Sequence, residues 1–135
     1  MKFLIAGFGS IGRRHLRNLL ELGEKDILLL RSQKSTLPTE EIAAYPTYTH
    51  LGEALAQRPD AVIIANPTAL HLDVAIPAAQ AGCSIFMEKP VSHNLDGIER
   101  LQAALESGGG RLLVGYQFRY HPTLQQAAEV LHSGQ

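Results

Sequence analysis

The sequence predicts an α/β fold: a doubly wound, mostly parallel sheet with helices on both faces. Three observations predict it. Short, nearly continuous apolar runs such as Ile27-Leu28-Leu29-Leu30 and Ala61-Val62-Ile63-Ile64-Ala65 read as strands buried on both faces. Segments with apolar residues at helical spacing separate these runs, so strand and helix alternate. Glycines punctuate the joints at Gly23, Gly82 and Gly108-Gly109-Gly110. Right-handed crossovers between parallel strands then wind the sheet in both directions.

The elements follow in order. Lys2 to Gly7 is an apolar run ending in glycine, hence a strand. Ser10 to Leu22 carries Ile11, Leu16, Leu19 and Leu20 on one helical stripe, stopped by Gly23. Asp26 to Leu30 is the second strand, and a polar connection containing Pro38 follows it. Tyr45 to Thr49 holds a short third strand, and Leu51 to Gln57 a short helix ended by Pro59. Asp60 to Ala65 is the clearest strand, being β-branched and apolar. Thr68 to Ala81 reads as helix, Ser84 to Met87 as strand, and Asn94 to Glu106 as an amphipathic helix. Leu112 to Val114 is the last strand and Pro122 to His132 the last helix. Tyr116, Phe118 and Tyr120 alternate as a strand extension does, which makes them packing residues.

Composition bounds the function. The 135 residues, 45% hydrophobic and 19% charged, suit one domain with a real core. A formal net charge of −1 advertises neither nucleic acid nor an anionic membrane as partner. The apolar start, Met1 to Ala6, imitates a signal peptide. Gly7, Gly9 and Gly12 interrupt it, and Arg13-Arg14-His15 stand where a cleavage site should lie. No apolar run approaches the ~20 residues that cross a bilayer. A lone cysteine, Cys83, suits a reducing compartment, so the expected location is cytoplasmic. The six histidines are scattered, with no H-E-x-x-H or C-x-x-C arrangement, and no metal site is expected.

Gly7-Phe8-Gly9-Ser10-Ile11-Gly12 matches G-x-G-x-x-G. The motif is weak alone, but here it follows a strand directly and opens a helix, the setting that makes it a dinucleotide-binding loop. Gly7 permits the tight turn, Gly9 admits the pyrophosphate to the backbone, and Gly12 lets helix and sheet pack closely. The helix N-terminus offers unpaired N–H groups and partial positive charge to the phosphates. Arg13 and Arg14 in its first turn either serve a phosphate or are simply solvated. An NAD-selective loop of this Rossmann type places Asp or Glu ~20 residues on, against the ribose 2′-hydroxyl. Here Arg31-Ser32 stands there, 19 positions beyond Gly12, with Lys34 close behind. A cation suits a 2′-phosphate, so the expected cofactor is NADP(H) before NAD(H). The missing acid also weakens a methyltransferase reading. Tyr-x-x-x-Lys and Gly-Lys-Ser/Thr do not occur, which disfavours short-chain dehydrogenases and P-loop NTPases.

Three further segments lie just beyond strand ends: Ala65-Asn66-Pro67-Thr68-Ala69-Leu70-His71, Met87-Glu88-Lys89-Pro90, and Gly115 to Pro122. In order and spacing they resemble the N-terminal domain of the glucose–fructose oxidoreductase / inositol dehydrogenase / MocA (Gfo/Idh/MocA) family. The resemblance covers essentially the whole chain, and Glu-Lys-Pro is its most specific part. It implies hydride transfer between nicotinamide and a sugar-like alcohol or carbonyl compound. It implies that Lys89 is a catalytic or orienting cation, that Glu88 binds the nicotinamide ribose, and that Pro90 follows a cis peptide bond. Asn66, Pro67 and His71 would line the cofactor cleft, although His71 also fits a purely structural role in its turn. Gln117 stands where the family often has Asn. Arg119 lies toward the nicotinamide end, either contacting ligand or anchoring the fold. The family also implies a second, substrate-binding domain and a homo-oligomeric full-length protein. On that reading, residues 1–120 are the dinucleotide-binding domain and 121–135 a helix leading to a missing C-terminal substrate domain. The chain alone would bind cofactor and be nearly inactive. The alternative is a non-catalytic module that senses NAD(P)H, which has no need of a cation at position 89.

Overall fold

The computed structural model describes residues 1–32 and 42–134. Lys34 and Pro38 lie outside the described residues. The elements are β1 (Lys2–Ala6), α1 (Ser10–Glu21), β2 (Asp26–Leu30), β3 (Thr47–Tyr48), α2 (Leu51–Leu55) and β4 (Ala61–Ile64). They continue as α3 (His71–Gln80), β5 (Ser84–Glu88), α4 (Ile98–Gly108), β6 (Leu112–Gly115) and α5 (Pro122–Ser133). All strand pairs are parallel, and the sheet order is β3-β2-β1-β4-β5-β6. The order reverses direction between β1 and β4, which is the topological switch point of a Rossmann fold.

Alternation along the strands separates two cores. Leu4, Leu28, Val62, Ile64, Ile85 and Met87 face one side, with Val74, Ala75 and Ala78 of α3 and Leu101 and Ala104 of α4. Ile5, Ile27, Leu29 and Ile63 face the other, with Leu16 and Leu19 of α1. Gly23, at φ +84, ends α1: its N–H and that of Glu24 donate to the Leu20 and Leu19 carbonyls.

The structure differs from the sequence reading at three joints. Helix α4 begins at Ile98, not Asn94, because Asn94 Oδ1 accepts from the Asp96 amide at 3.2 Å and Gly97 sits at φ +86. Local side-chain bonds and a left-handed residue hold that segment in a turn. The segment expected as one helix over 68–81 divides into a 3-10 turn, Thr68–Leu70, and α3. The aromatic run is not a strand extension. Strand β6 ends at Gly115, and Gln117–Tyr120 form a 3-10 turn, with Arg119 N–H donating to the Tyr116 carbonyl. Tyr116, Phe118 and Tyr120 are exposed, as is every residue of α5, so they are not packing residues within this chain. Their pattern resembles alternation only because short aromatic turns and edge strands share a composition.

Among the described residues no helix is long and apolar enough to cross a membrane, and no group of three His, Cys, Asp or Glu side chains is placed to hold a metal. Cys83 is buried, its thiol donating to the Pro59 carbonyl, and burial pushes that thiol up from its ordinary range. It is expected to resist thiol reagents until the chain unfolds, as read by labelling with and without denaturant.

Candidate functional site

The loops that leave β1 and β4 part at the switch point, and the three glycines divide the work there. Gly7 lies at φ +93, and a Cβ on it would collide with the Asn66 backbone. A Cβ on Gly12, which is buried, would overlap the Gly7 carbonyl oxygen. The protein's own packing therefore demands glycine at both positions. It makes no such demand at Gly9. That residue has an ordinary φ of −82°, is exposed, and a Cβ on it would meet nothing within 4 Å. Gly9 is also the N-cap of α1 and supplies no side-chain hydrogen bond to the helix's leading amides. The twelve-residue helix thus presents bare N–H donors and its positive end to open space.

That space is a cleft of about 600 Å³, lined by Gly7, Gly9, Arg31, Ser32, Asn66 and Pro67 together with Thr49, Leu51 and Leu70. Arg31 continues the β2–β3 pairing through its amide, which donates to the Tyr48 carbonyl at 3.0 Å, so its side chain starts at the cleft rim. Thr49, Leu51 and Leu70 were missed in the sequence. The rule that ligands sit beyond strand ends would have nominated the residues after the third strand. A larger hollow of about 780 Å³ lies between α3 and α4, lined by Leu72, Asp73, Ile76 and Arg100 among others. It contains none of the strand-end residues, and the physics of the open sheet selects the smaller cleft.

A second hollow of about 240 Å³ adjoins the first through Asn66 and brings Ile11, Arg14, His71, Glu88, Lys89 and Gln117 together. The Asn66 amide nitrogen donates to the Leu70 carbonyl at 3.2 Å, which fixes its orientation. Its Oδ1 is buried and has no hydrogen-bond partner among the described residues. A buried acceptor at a cleft is costly unless something donates to it, so this atom is a fit for a ligand hydroxyl or amide. The Lys89–Pro90 peptide is cis. Lys89 is exposed, and its ammonium makes no ion pair among the described residues.

The structure gives four further residues of the sequence reading these surroundings. Phe8 is 4% exposed and packs in the α1 core, with the Arg13 guanidinium over its ring at 5.1 Å. Arg14 is not merely solvated, because its guanidinium lies 3.7 Å from Glu88 Oε1. Arg119 is exposed on the 3-10 turn and borders a third hollow of about 290 Å³ with His15, Glu88 and Tyr116, away from the glycine loop. His71 is 1% exposed, and both ring nitrogens face main-chain carbonyls: Nδ1 to Pro90 at 2.9 Å and Nε2 to Asn66 at 3.0 Å. It ties the turn after β4 to the cis-proline turn after β5. Substituting His71→Ala removes the ring N–H that these carbonyls compete for and leaves a cavity, a loss expected at about 3 kcal/mol by urea denaturation.

Glu88 faces the α1 side of the sheet. His15 Nε2 lies 2.8 Å from its Oε1, and both side chains are mostly buried. The sequence showed no sign of this pairing, because the two residues are 73 positions apart.

Comparison with known proteins gives the family and the fold. Residues 1–116 match the model of an oxidoreductase family with an NAD-binding Rossmann fold. The chain is 30% identical over 139 residues to 4-carboxy-2-hydroxymuconate-6-semialdehyde dehydrogenase of a Sphingobium species, covering all of this chain and 44% of that protein. It is 27% identical over 137 residues to D-xylose 1-dehydrogenase (NADP(+)) 2 of Haloferax volcanii, covering 98% of this chain and 42% of that protein. Among solved structures, the WlbA dehydrogenase of Bordetella pertussis, in complex with NADH and UDP-GlcNAcA, superposes with a TM-score of 0.86 at 29% identity. That match covers 98% of this chain and 42% of the other. The chain spans less than half the length of these relatives.

Proposed function

The chain belongs to the Gfo/Idh/MocA oxidoreductase family, as its NAD-binding Rossmann domain, and from that premise we propose the following assignment. It is the nucleotide-binding part of an enzyme that moves a hydride between NADP(H) and a sugar-like alcohol or carbonyl compound. The observation that carries the reading is Gly9, whose missing side chain serves no packing need and keeps the α1 N-terminus bare. Asn66 Oδ1 in the same cleft, without a hydrogen-bond partner among the described residues, supports it.

The residues take roles by position. The amides of Gly9, Ser10 and Ile11 receive the pyrophosphate, and Gly7 and Gly12 give the loop its shape. Arg31 and Ser32 hold the 2′-phosphate, with the adenine between Thr49, Leu51 and Leu70. Asn66, Pro67 and Glu88 border the nicotinamide half, while His71 sets the turns that carry them. When bound, the nicotinamide supplies the hydride chemistry. Lys89, with no carboxylate partner among the described residues, hydrogen-bonds the substrate oxygen and stabilises negative charge developing on it. A proton acceptor comes from a further domain, with residues 1–120 as the nucleotide-binding unit and 121–135 leading onward. The 135-residue chain alone then binds cofactor without appreciable turnover, in a cytoplasmic protein whose full-length form is a homo-oligomer.

Calorimetry with NADPH and NADH tests the cofactor assignment. NADPH is expected to bind more tightly, and Arg31→Asp to weaken NADPH by about 30-fold, about 2 kcal/mol, with NADH spared or improved. NADH binding as well as NADPH to the unaltered chain would overturn the preference.

A further inference from the structure

We infer that His15 is a positioning residue that holds the Glu88 carboxylate ready for the ribose on the nicotinamide side. It thereby couples the pyrophosphate helix to the strand end bearing Lys89. This rests on the cofactor placement proposed above, and it assigns a task to a side chain outside both cofactor-lining hollows.

His15 projects from the second turn of α1, behind the glycine loop. Alternation along β5 sends Phe86 and Glu88 to the α1 face and Met87 to the other. Two neighbours fix the imidazole. Phe86 meets it edge-on, with ring centroids 5.1 Å apart at 67°, and Glu88 Oε1 stands 2.8 Å from Nε2. The side chains are 11% exposed for His15 and 15% for Glu88. A carboxylate so withdrawn from water needs a close partner. Arg14 reaches the same oxygen only at 3.7 Å from a side chain that is 52% exposed, beyond good hydrogen-bond distance and screened by solvent. His15 is therefore the principal hold on Glu88.

The geometry has two consequences for a ligand. Both contacts fall on Oε1, which leaves Oε2 to accept from ribose hydroxyls. A carboxylate engaged on the α1 side is also withheld from Lys89, whose ammonium makes no ion pair among the described residues. One imidazole thus links the phosphate-binding and nicotinamide-binding halves of the cleft across the sheet end.

The test uses the 135-residue chain and two probes, NADPH and 2′-phospho-ADP, which keeps the adenine end and both phosphates but lacks the second ribose and the nicotinamide. His15→Ala is expected to raise the Kd for NADPH about tenfold and to leave that for 2′-phospho-ADP within about twofold. His15→Gln, which retains a donor, should restore most of the loss. In a Glu88→Ala background, adding His15→Ala should change NADPH affinity less than about twofold, because the two act as one unit. Equal weakening of both probes would show that His15 merely supports α1 and would overturn the inference. So would an unaltered Kd for NADPH, or a full additional loss in the Glu88→Ala background. Failure of the unaltered chain to bind either probe would instead remove the cofactor assignment itself, and this inference with it.

Discussion

Gly9→Val is expected to abolish measurable NADPH binding while the chain stays folded. The position is exposed, its backbone is extended, and a Cβ there meets nothing within 4 Å. Folding therefore loses only the mild preference of an N-cap for glycine over valine, about 1 kcal/mol. In a chain of this size that lowers the melting temperature by about 4 °C. The isopropyl group projects into the space in front of the first-turn amides, which is where a pyrophosphate must sit to use them. Separating the phosphates from those donors costs at least about 2.8 kcal/mol, or about 100-fold in Kd. Calorimetry gives the affinity and circular dichroism the fold. A valine variant that binds as well as the unaltered chain would show that Gly9 faces no ligand.

Gly12→Ala, three residues away, is expected to do the reverse and destabilise the fold. The added Cβ would overlap the Gly7 carbonyl oxygen, and both groups are backbone-borne, so no side-chain rotation relieves the clash. Helix α1 must lift from β1, loosening the contacts of Leu16 and Leu19 with Ile5 and Ile27. Overpacking of this kind costs about 3 kcal/mol, and about 10 °C in melting temperature. Binding falls as well, because the loop is no longer held in shape. Two glycines of one motif thus separate experimentally, one serving the ligand and the other the fold. A thermal melt of Gly12→Ala that matches the unaltered chain would contradict the close packing.

The fold was largely legible because buried parallel strands and glycine-stopped helices leave strong local patterns. β2 and the start of α1 were placed to the residue by apolar runs and by the loop that precedes the helix. The misreadings fall where local chemistry competes with periodicity. Asn94 and Asp96 form a side-chain turn in place of a first helical turn, and Gly97 closes the helical option. Tyr116, Phe118 and Tyr120 present bulk without a partner surface, and composition cannot distinguish that from packing.

The strand-end positions of the candidate site are legible in the sequence, but its side-chain pairings are not. The glycine loop, Asn66 and the Glu-Lys-Pro turn all lie at strand ends, where the open sheet directs ligands. Which partner holds which group depends on side-chain direction across the sheet, and the sequence does not carry it. The burial of Phe8, the two carbonyls around His71 and the hold of His15 on Glu88 all belong to that class. Each joins residues from different elements.

The central claim is that the bare N-terminus of α1 receives the two phosphates of a nicotinamide dinucleotide. Crystals of the 135-residue chain grown with NADPH test it most directly. The account predicts pyrophosphate oxygens about 3 Å from the Gly9 to Ile11 amides and the 2′-phosphate against Arg31. Dinucleotide bound elsewhere on the chain, with those amides facing only solvent, would contradict it.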